Sequence, residues 1–275
     1  MTAAKTYAVD GVVLRALPYG ENDVLVTLLT EKEGRIAVIA KGARSLRSKI
    51  IGGIQPYTYA NFEIAGKNGP GWIRSVLVHE SFTGMRAELL PLTLAQYLSD
   101  VAIELSGEGV PAGELMSLLL NTFYLLSVRI DGRDEHEVLR VKSVFEWRSM
   151  AISGYLPDLS CCARCGAKDI EEIGYLDVMN GNFICSPCFE KALDRRIPLP
   201  GPHETGTANI LLPVSAEALQ VMRYILSAPS KRIFSFRLSG GEAAEHLSRI
   251  TEAYLLHHLE RSFDSLSFFR TMLQG

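Results

Sequence analysis

Two C-x2-C pairs constrain this chain more than any other feature. Cys162 and Cys165 form the first and Cys185 and Cys188 the second, with 19 residues between them. A C-x2-C turn points two sulfurs at one centre, and Gly166 after the first pair permits the positive φ that the turn uses. Two such turns supply four thiolates at tetrahedral corners, as Zn²⁺ takes them in structural sites. Between the pairs, "IGYLDVMNGNFIC" reads as a hairpin with Asn180-Gly181 at its tip. The hairpin brings the second pair beside the first and makes a zinc ribbon, within an insert at 159–190. Four thiolates fill the shell, whereas a catalytic zinc keeps a position open for water. The expected role is therefore structural. Cys161 is left over; packing is its expected role, although a register shift of one residue would let it replace Cys162.

The compartment supports metal over disulfides. "MTAAKTYAVDGVV" has no apolar signal-peptide core, and "LMSLLLNTFYLLSV" is broken by Ser117, Asn121 and Thr122. That run falls short of the ~20 apolar residues of a membrane span. The expectation is a cytoplasmic protein with no membrane partner, where clustered cysteines ligate metal.

At 275 residues, two domains or one with a large insert are expected. Residues 7–80 hold five runs rich in Val, Ile, Thr and Tyr: "TYAVDGVVLRAL", "DVLVTLLT", "RIAVIAKG", "YTYANFEIA" and "WIRSVLVHE". Turn residues separate them, as in "PYGEN", "EKEG" and "GKNGPG". Several runs are apolar on both faces, which suits a small closed barrel; five strands is the number of an OB-fold, with an SH3-like barrel as the rival. From residue 90 the period becomes helical: Leu94, Leu98, Val101 and Leu105 share one stripe. Thr93 and Gln96 have capping-box spacing there, and Asp134 with Glu137 repeats it before a third helix that Gly154 and Pro157 stop. A Pro/Gly-rich link, "RRIPLPGPHETG", follows the ribbon. Two more helices close the chain, "VSAEALQVMRYILSA" and one beginning after Ser239–Glu242. The expected fold class is α+β, an N-terminal five-stranded OB-fold barrel at 1–80 and a mainly α-helical domain at 81–275 carrying the four-cysteine zinc ribbon.

Charge points to a function for the first part. The chain carries −3 overall, but residues 1–80 hold ten Lys/Arg against seven Asp/Glu, and the remainder 18 against 24. A nucleic-acid surface is expected on the first part. There "GRIAVIAKGARSLRSKI" carries Arg35, Lys41, Arg44, Arg47 and Lys49 with no acid among them. Such runs are often plain solvated faces. Here Tyr57, Tyr59, Phe62 and Trp72 follow, and basic grooves with stacking aromatics are how OB-folds hold single strands. There is no phosphate-binding G-x-x-x-x-G-K-[ST] loop, no G-x-G-x-x-G after a strand, no G-x-S-x-G, and no H-x-E with P-C-x-x-C.

"GENDVLVTLLTEKEGRIAVIAKGARSLRSK", "LPLTLAQYLSDVAIEL" and "YLPDLSCCARCG" with the later "GNFICSPC" together resemble the RecO family of bacterial DNA repair and recombination mediators, over nearly the whole chain. The resemblance implies an OB-fold, a helical domain and a structural Zn site. It implies a non-enzymatic, nucleoid-associated protein that binds single- and double-stranded DNA and anneals complementary strands. Implied partners are the C-terminal tail of single-stranded-DNA-binding protein, RecR and, indirectly, the RecA recombinase loaded onto coated strands. DNA contact is carried over to Arg35, Lys41, Arg44, Arg47 and Lys49, and zinc ligation to Cys162, Cys165, Cys185 and Cys188. No motif marks the tail pocket; Arg129, Arg133, Arg140 and Arg148 are its candidates, on or beside apolar helices. Two rivals are a zinc-stabilised nucleic-acid-processing enzyme, with Glu21, Asp23 and Glu63 as the nearest carboxylates, and a protein-only scaffold.

Overall fold

The computed structural model describes residues 6–66, 70–129, 131–168, 173–194 and 211–274. The expected link at 195–206 and the centre of the "GKNGPG" turn lie outside them. The chain forms two compact units, residues 1–138 with 263–275, and residues 139–262.

The first unit is built on β1 (Thr6–Tyr19), β2 (Asp23–Thr30), β3 (Gly34–Ala40), β4 (Tyr59–Ala65) and β5 (Trp72–Glu80). They close a barrel in the order β1-β2-β3-β5-β4. β1 is long because it serves two neighbours: residues 6–12 pair with β4 and 11–19 with β2, across a bulge between Val13 and Arg15. The bulge bends the strand around the barrel. Closure rests on one parallel bridge, Ile39 to Trp72. This closed five-stranded barrel is an OB-fold, as the sequence leads one to expect. Alternation puts Val24, Val26 and Leu28 of β2 into the core, with Val38, Phe62, Ile64 and Ile73 from β3 to β5.

Helices α1 (Leu89–Leu105), α2 (Gly113–Tyr124) and α7 (Asp264–Leu273) belong to the same unit. Asp100 of α1 joins three elements: its carboxylate accepts from Arg15 of β1 at 2.5 Å and from Ser265 of α7 at 2.7 Å. The capping-box reading of α1 is corrected. Glu88 is the N-cap, and Thr93 lies within the helix, its hydroxyl donating to the Leu90 carbonyl. The second apolar run does not stay α-helical; after Tyr124 it widens into a single π turn, Leu125–Arg129. α7 was not expected, because ten residues hold too few turns to show a period.

The second unit centres on α3 (Glu135–Ile152) from residue 139 onward, with α5 (Ala216–Ser227) and α6 (Gly241–Leu259). Asp134 caps α3 through His136 and Glu137 N–H, as its spacing predicts, and Ser215 caps α5. Ser239 does not cap α6: it bonds Glu217, and the N-cap is Gly240. A four-stranded sheet, β6 (Asp158–Cys162), β8 (Asn182–Cys185), β7 (Gly174–Asp177) and β9 (Leu211–Val214) in that order, carries the cysteines with α4 (Ser186–Asp194). The hairpin β7–β8 is the expected one; β9 and α4 are too short to be legible. Among the described residues no helix is long and apolar enough to cross a membrane.

α3 buries a charged centre. Lys142, 1% exposed, meets Glu146 at 2.8 Å, Glu252 at 2.8 Å and the Ser248 hydroxyl at 3.1 Å. Thr251 donates to Glu146 at 2.7 Å. Burial pushes the Glu146 carboxyl up, while the Lys142 ammonium pulls it down. Removing one partner of such a group strands the others without compensation. Lys142→Met should therefore cost about 3–5 kcal/mol in a urea unfolding experiment. A cost under about 1 kcal/mol would mean that the network adds nothing to the fold.

Candidate functional sites: a four-cysteine centre and a basic barrel loop

The first cysteine pair sits where β6 ends. Cys162 closes the strand, the chain turns through Gly166 at φ 75°, and the Gly166 N–H donates to the Cys162 carbonyl at 2.9 Å. β6 runs parallel to β8, with Cys162 opposite Phe183, so the strand ends lie together. Cys185 ends β8 and Cys188 follows in the first turn of α4. The four Sγ atoms all lie within 4.8 Å of one another, with Cys165 and Cys185 at 3.7 Å. All are free thiols. Sulfurs placed about 2.3 Å from a tetrahedral metal stand roughly 3.8 Å apart, so the cluster is the right size for one ion. Backbone N–H groups of Arg164 and Cys185 point at the Cys162 sulfur, at 3.5 and 3.4 Å. Burial opposes its ionisation, but N–H donors from Cys185, Cys165 and Arg164 outweigh burial and bring the thiol down to about 6. Burial first, then the neighbouring sulfurs, pushes Cys188 up to about 12. A metal entering this set releases protons, as thiolate sites do. Cys161 is not part of the cluster; its sulfur accepts from the Ser160 hydroxyl at 3.8 Å.

The hairpin behind the sulfurs is tightly built. Asp177, fully buried, accepts from the Asn180 backbone and side chain, and Gly181 turns at φ 61°. Tyr175 stacks on Phe189 of α4 with centroids 3.8 Å apart. The Phe183 ring lies over Gly174, where a Cβ would come 2.0 Å from Cζ. Gly174→Ala must displace that ring from the core beside Cys185. It should lower stability by about 1–3 kcal/mol and speed metal loss to a chelator, both read on purified protein. Unchanged melting and chelation rates would show that the ring packing is not what steadies the centre.

The basic run leaves β3 as the loop at 41–58. Its base is tied to the β1–β2 turn: Gly42 N–H donates to Asp23 at 2.7 Å, Arg44 N–H to the Asn22 carbonyl at 3.0 Å, and the Arg44 guanidinium to the Glu21 carbonyl at 3.1 Å. Lys41 lies over the Trp72 ring at 4.7 Å, a cation–π contact. Lys41, Arg44, Arg47 and Lys49 are exposed, and none pairs with a carboxylate among the described residues. Arg35 stands apart. It is half-buried on β3, and its guanidinium donates to the Ile103 carbonyl of α1 at 2.7 Å. Of the aromatics, Phe62 fills the barrel core and Tyr57 is buried against Phe123, at φ 70°. Trp72 and Tyr59 remain partly open, Tyr59 beside His79.

The other candidate groups are engaged elsewhere. Asp23 holds Gly42, and Glu63 accepts from Ser75; among the described residues the only cluster fit for a metal is the cysteine one. Arg140 donates to the Phe234 carbonyl, Arg148 to those of Ile225 and Leu226, Arg133 pairs with Glu88, and Arg129 lies over Tyr124.

Fold and site define a class: an OB-fold protein extended by helices and by a four-cysteine ribbon able to hold a metal. The family models "Recombination protein O N terminal" and "Recombination protein O C terminal" match residues 1–82 and 86–204. DNA repair protein RecO of Acetivibrio thermocellus is 28% identical over 263 residues, 96% of each chain. That of Anaeromyxobacter sp. strain K is 32% identical over 260 residues, 94% of this chain and 93% of its own. That of Symbiobacterium thermophilum is 28% identical over 269, 97% of each. The chain belongs to the RecO family of DNA repair proteins, and its role is in DNA repair.

Proposed function

We propose that this protein is a non-enzymatic repair mediator that binds single- and double-stranded DNA, anneals complementary strands, and helps load recombinase onto strands coated by single-stranded-DNA-binding protein. Its partners in this reading are that protein's acidic tail, RecR and, indirectly, RecA, in the cytoplasm at the nucleoid. The exposed, carboxylate-free loop on the OB barrel carries the reading. Lys41, Arg44, Arg47 and Lys49 present their charges from a loop tied at its base, with Trp72 beneath Lys41. Arg35 joins them only if a strand follows β3 past the end of α1. Basic side chains contact phosphates, which are alike in every sequence and in duplex and single strand. Backbone carbonyls, a ring and a carboxylate already occupy Arg129, Arg133, Arg140 and Arg148, which makes them poor candidates for a tail pocket. Annealing of complementary strands coated with single-strand-binding protein, without nucleotide, tests the mediator reading; cleavage of DNA in Mg²⁺ by pure protein would favour the enzyme instead.

Changing Arg44, Arg47 and Lys49 together to Ala should weaken binding to both DNA forms and flatten the salt slope by up to about 3 units, since each phosphate contact contributes roughly 0.7–0.9. Binding of the isolated tail peptide should persist. A triple variant with full affinity and the wild-type slope would remove DNA from the loop.

The ion in the cysteine centre is zinc in this reading, since an all-sulfur set of this size suits structural Zn²⁺. Bound there, it would hold β6, β8 and α4 together through Cys162, Cys165, Cys185 and Cys188. Elemental analysis of chelator-washed protein should give one zinc per chain. Cys162→Ser should lose the zinc and much of the soluble yield, because ligation is coupled to folding, while Cys161→Ser should keep both. A folded, metal-free wild type contradicts this assignment.

A further inference from the structure

The loop at 41–58 sends its aliphatic side chains two ways. Ala43 and Ile54 are buried in the barrel core, and Ile50 packs against it. Leu46 is fully exposed, and Ile51 is exposed as well. Backbone turns hold both outward. Leu46 is the second residue of a turn at 45–48, where Ser48 N–H donates to the Ser45 carbonyl at 3.0 Å and Arg47 N–H to the Ser45 hydroxyl at 3.4 Å. That turn grows from another at 42–45, closed by Ser45 N–H on the Gly42 carbonyl at 3.0 Å. Ile51 has the same place in a turn at 50–53, closed at 3.0 Å, and its carbonyl accepts from the Gln55 side chain at 2.9 Å.

Proline and polar residues serve the second position of a turn well, so the turn itself does not call for a leucine. Single exposed leucines are ordinary on a protein surface. The surroundings set this one apart. Arg44 precedes it by two residues, Arg47 follows it directly and Lys49 comes next, all exposed, and residues 41–58 contain no carboxylate. The cations select a polyanion. A leucine among them gains only from an occupant that carries apolar surface between its charges. A nucleic-acid strand is built that way, with base faces between its phosphates, and aliphatic side chains held out by a protein part neighbouring bases as wedges. A lipid surface also joins charge to apolar matter, but the chain's role in DNA repair favours the strand.

We propose that Leu46 is an apolar wedge that enters between two neighbouring bases of a single strand whose phosphates lie on Arg44 and Arg47. The proposal rests on the DNA-binding reading above and adds to it what the loop does to the strand. Parting one base step costs stacking, which burial of the leucine offsets. The bases on either side are then free to meet a complement. The anchored base of the loop matters here, because a wedge on a slack loop would yield before the stack does.

The test uses the full chain and an oligoadenine strand with 2-aminopurine bases spread along it, whose emission rises when they leave a stack. Saturating wild type should raise that emission. Leu46→Ala should bind up to roughly tenfold more weakly, since less apolar surface is buried, and should lose most of the rise at saturation. Its salt slope should match wild type, because the phosphate contacts are kept. Leu46→Met, which restores an apolar side chain of similar reach, should recover affinity and rise together. Leu46 is exposed in the free protein, so both variants should melt as wild type does. A full rise with Leu46→Ala, or no rise with bound wild type, overturns the wedge and leaves the DNA reading standing. Failure of wild type to bind the strand overturns both, and binding to phosphatidylglycerol vesicles instead would give the loop to lipid.

Discussion

The barrel is closed by one parallel bridge, Ile39 to Trp72, and the candidate DNA surface is arranged around it. A sheet that does not close leaves a row of unpaired backbone groups. Here the bridge ends that row and sets two neighbours. It places Trp72 where Lys41 can lie on its ring, and it fixes the point from which the 41–58 loop departs. The β1–β2 turn completes the mounting, with Asp23, Asn22 and the Glu21 carbonyl holding Gly42 and Arg44. The loop's first residues are thus anchored, while Arg47 and Lys49 project into solvent.

The cysteine centre solves a different problem. The sheet β6-β8-β7-β9 is small, with strands of four or five residues, and cannot bury a large core alone. Four sulfurs converge from two strand ends, the turn after β6 and the first turn of α4, where one ion would tie them to a single point. In the same unit Lys142 and its carboxylates set the helix contacts from within.

Much of this was legible in the sequence where a period or spacing carries information. The barrel strands showed because Val24, Val26 and Leu28 alternate inward, and the cysteine pairs showed because two-residue spacing has few other uses. What failed was local and short. β9, α4 and α7 span four to ten residues, too few for a pattern to rise above chance. Thr93 and Ser239 have cap spacing, but tertiary partners or the helix interior claim them. Arg35 reads as one more cation in a basic run. Only the fold shows that it reaches across to the end of α1.

The most direct measurement of the account is amide hydrogen exchange of the full chain, free and bound to a single-stranded oligonucleotide. The account predicts slowed exchange in β3 and the 41–58 loop, with 211–259 unchanged. Protection confined to the second unit, with the barrel loop exchanging as in the free protein, would contradict it.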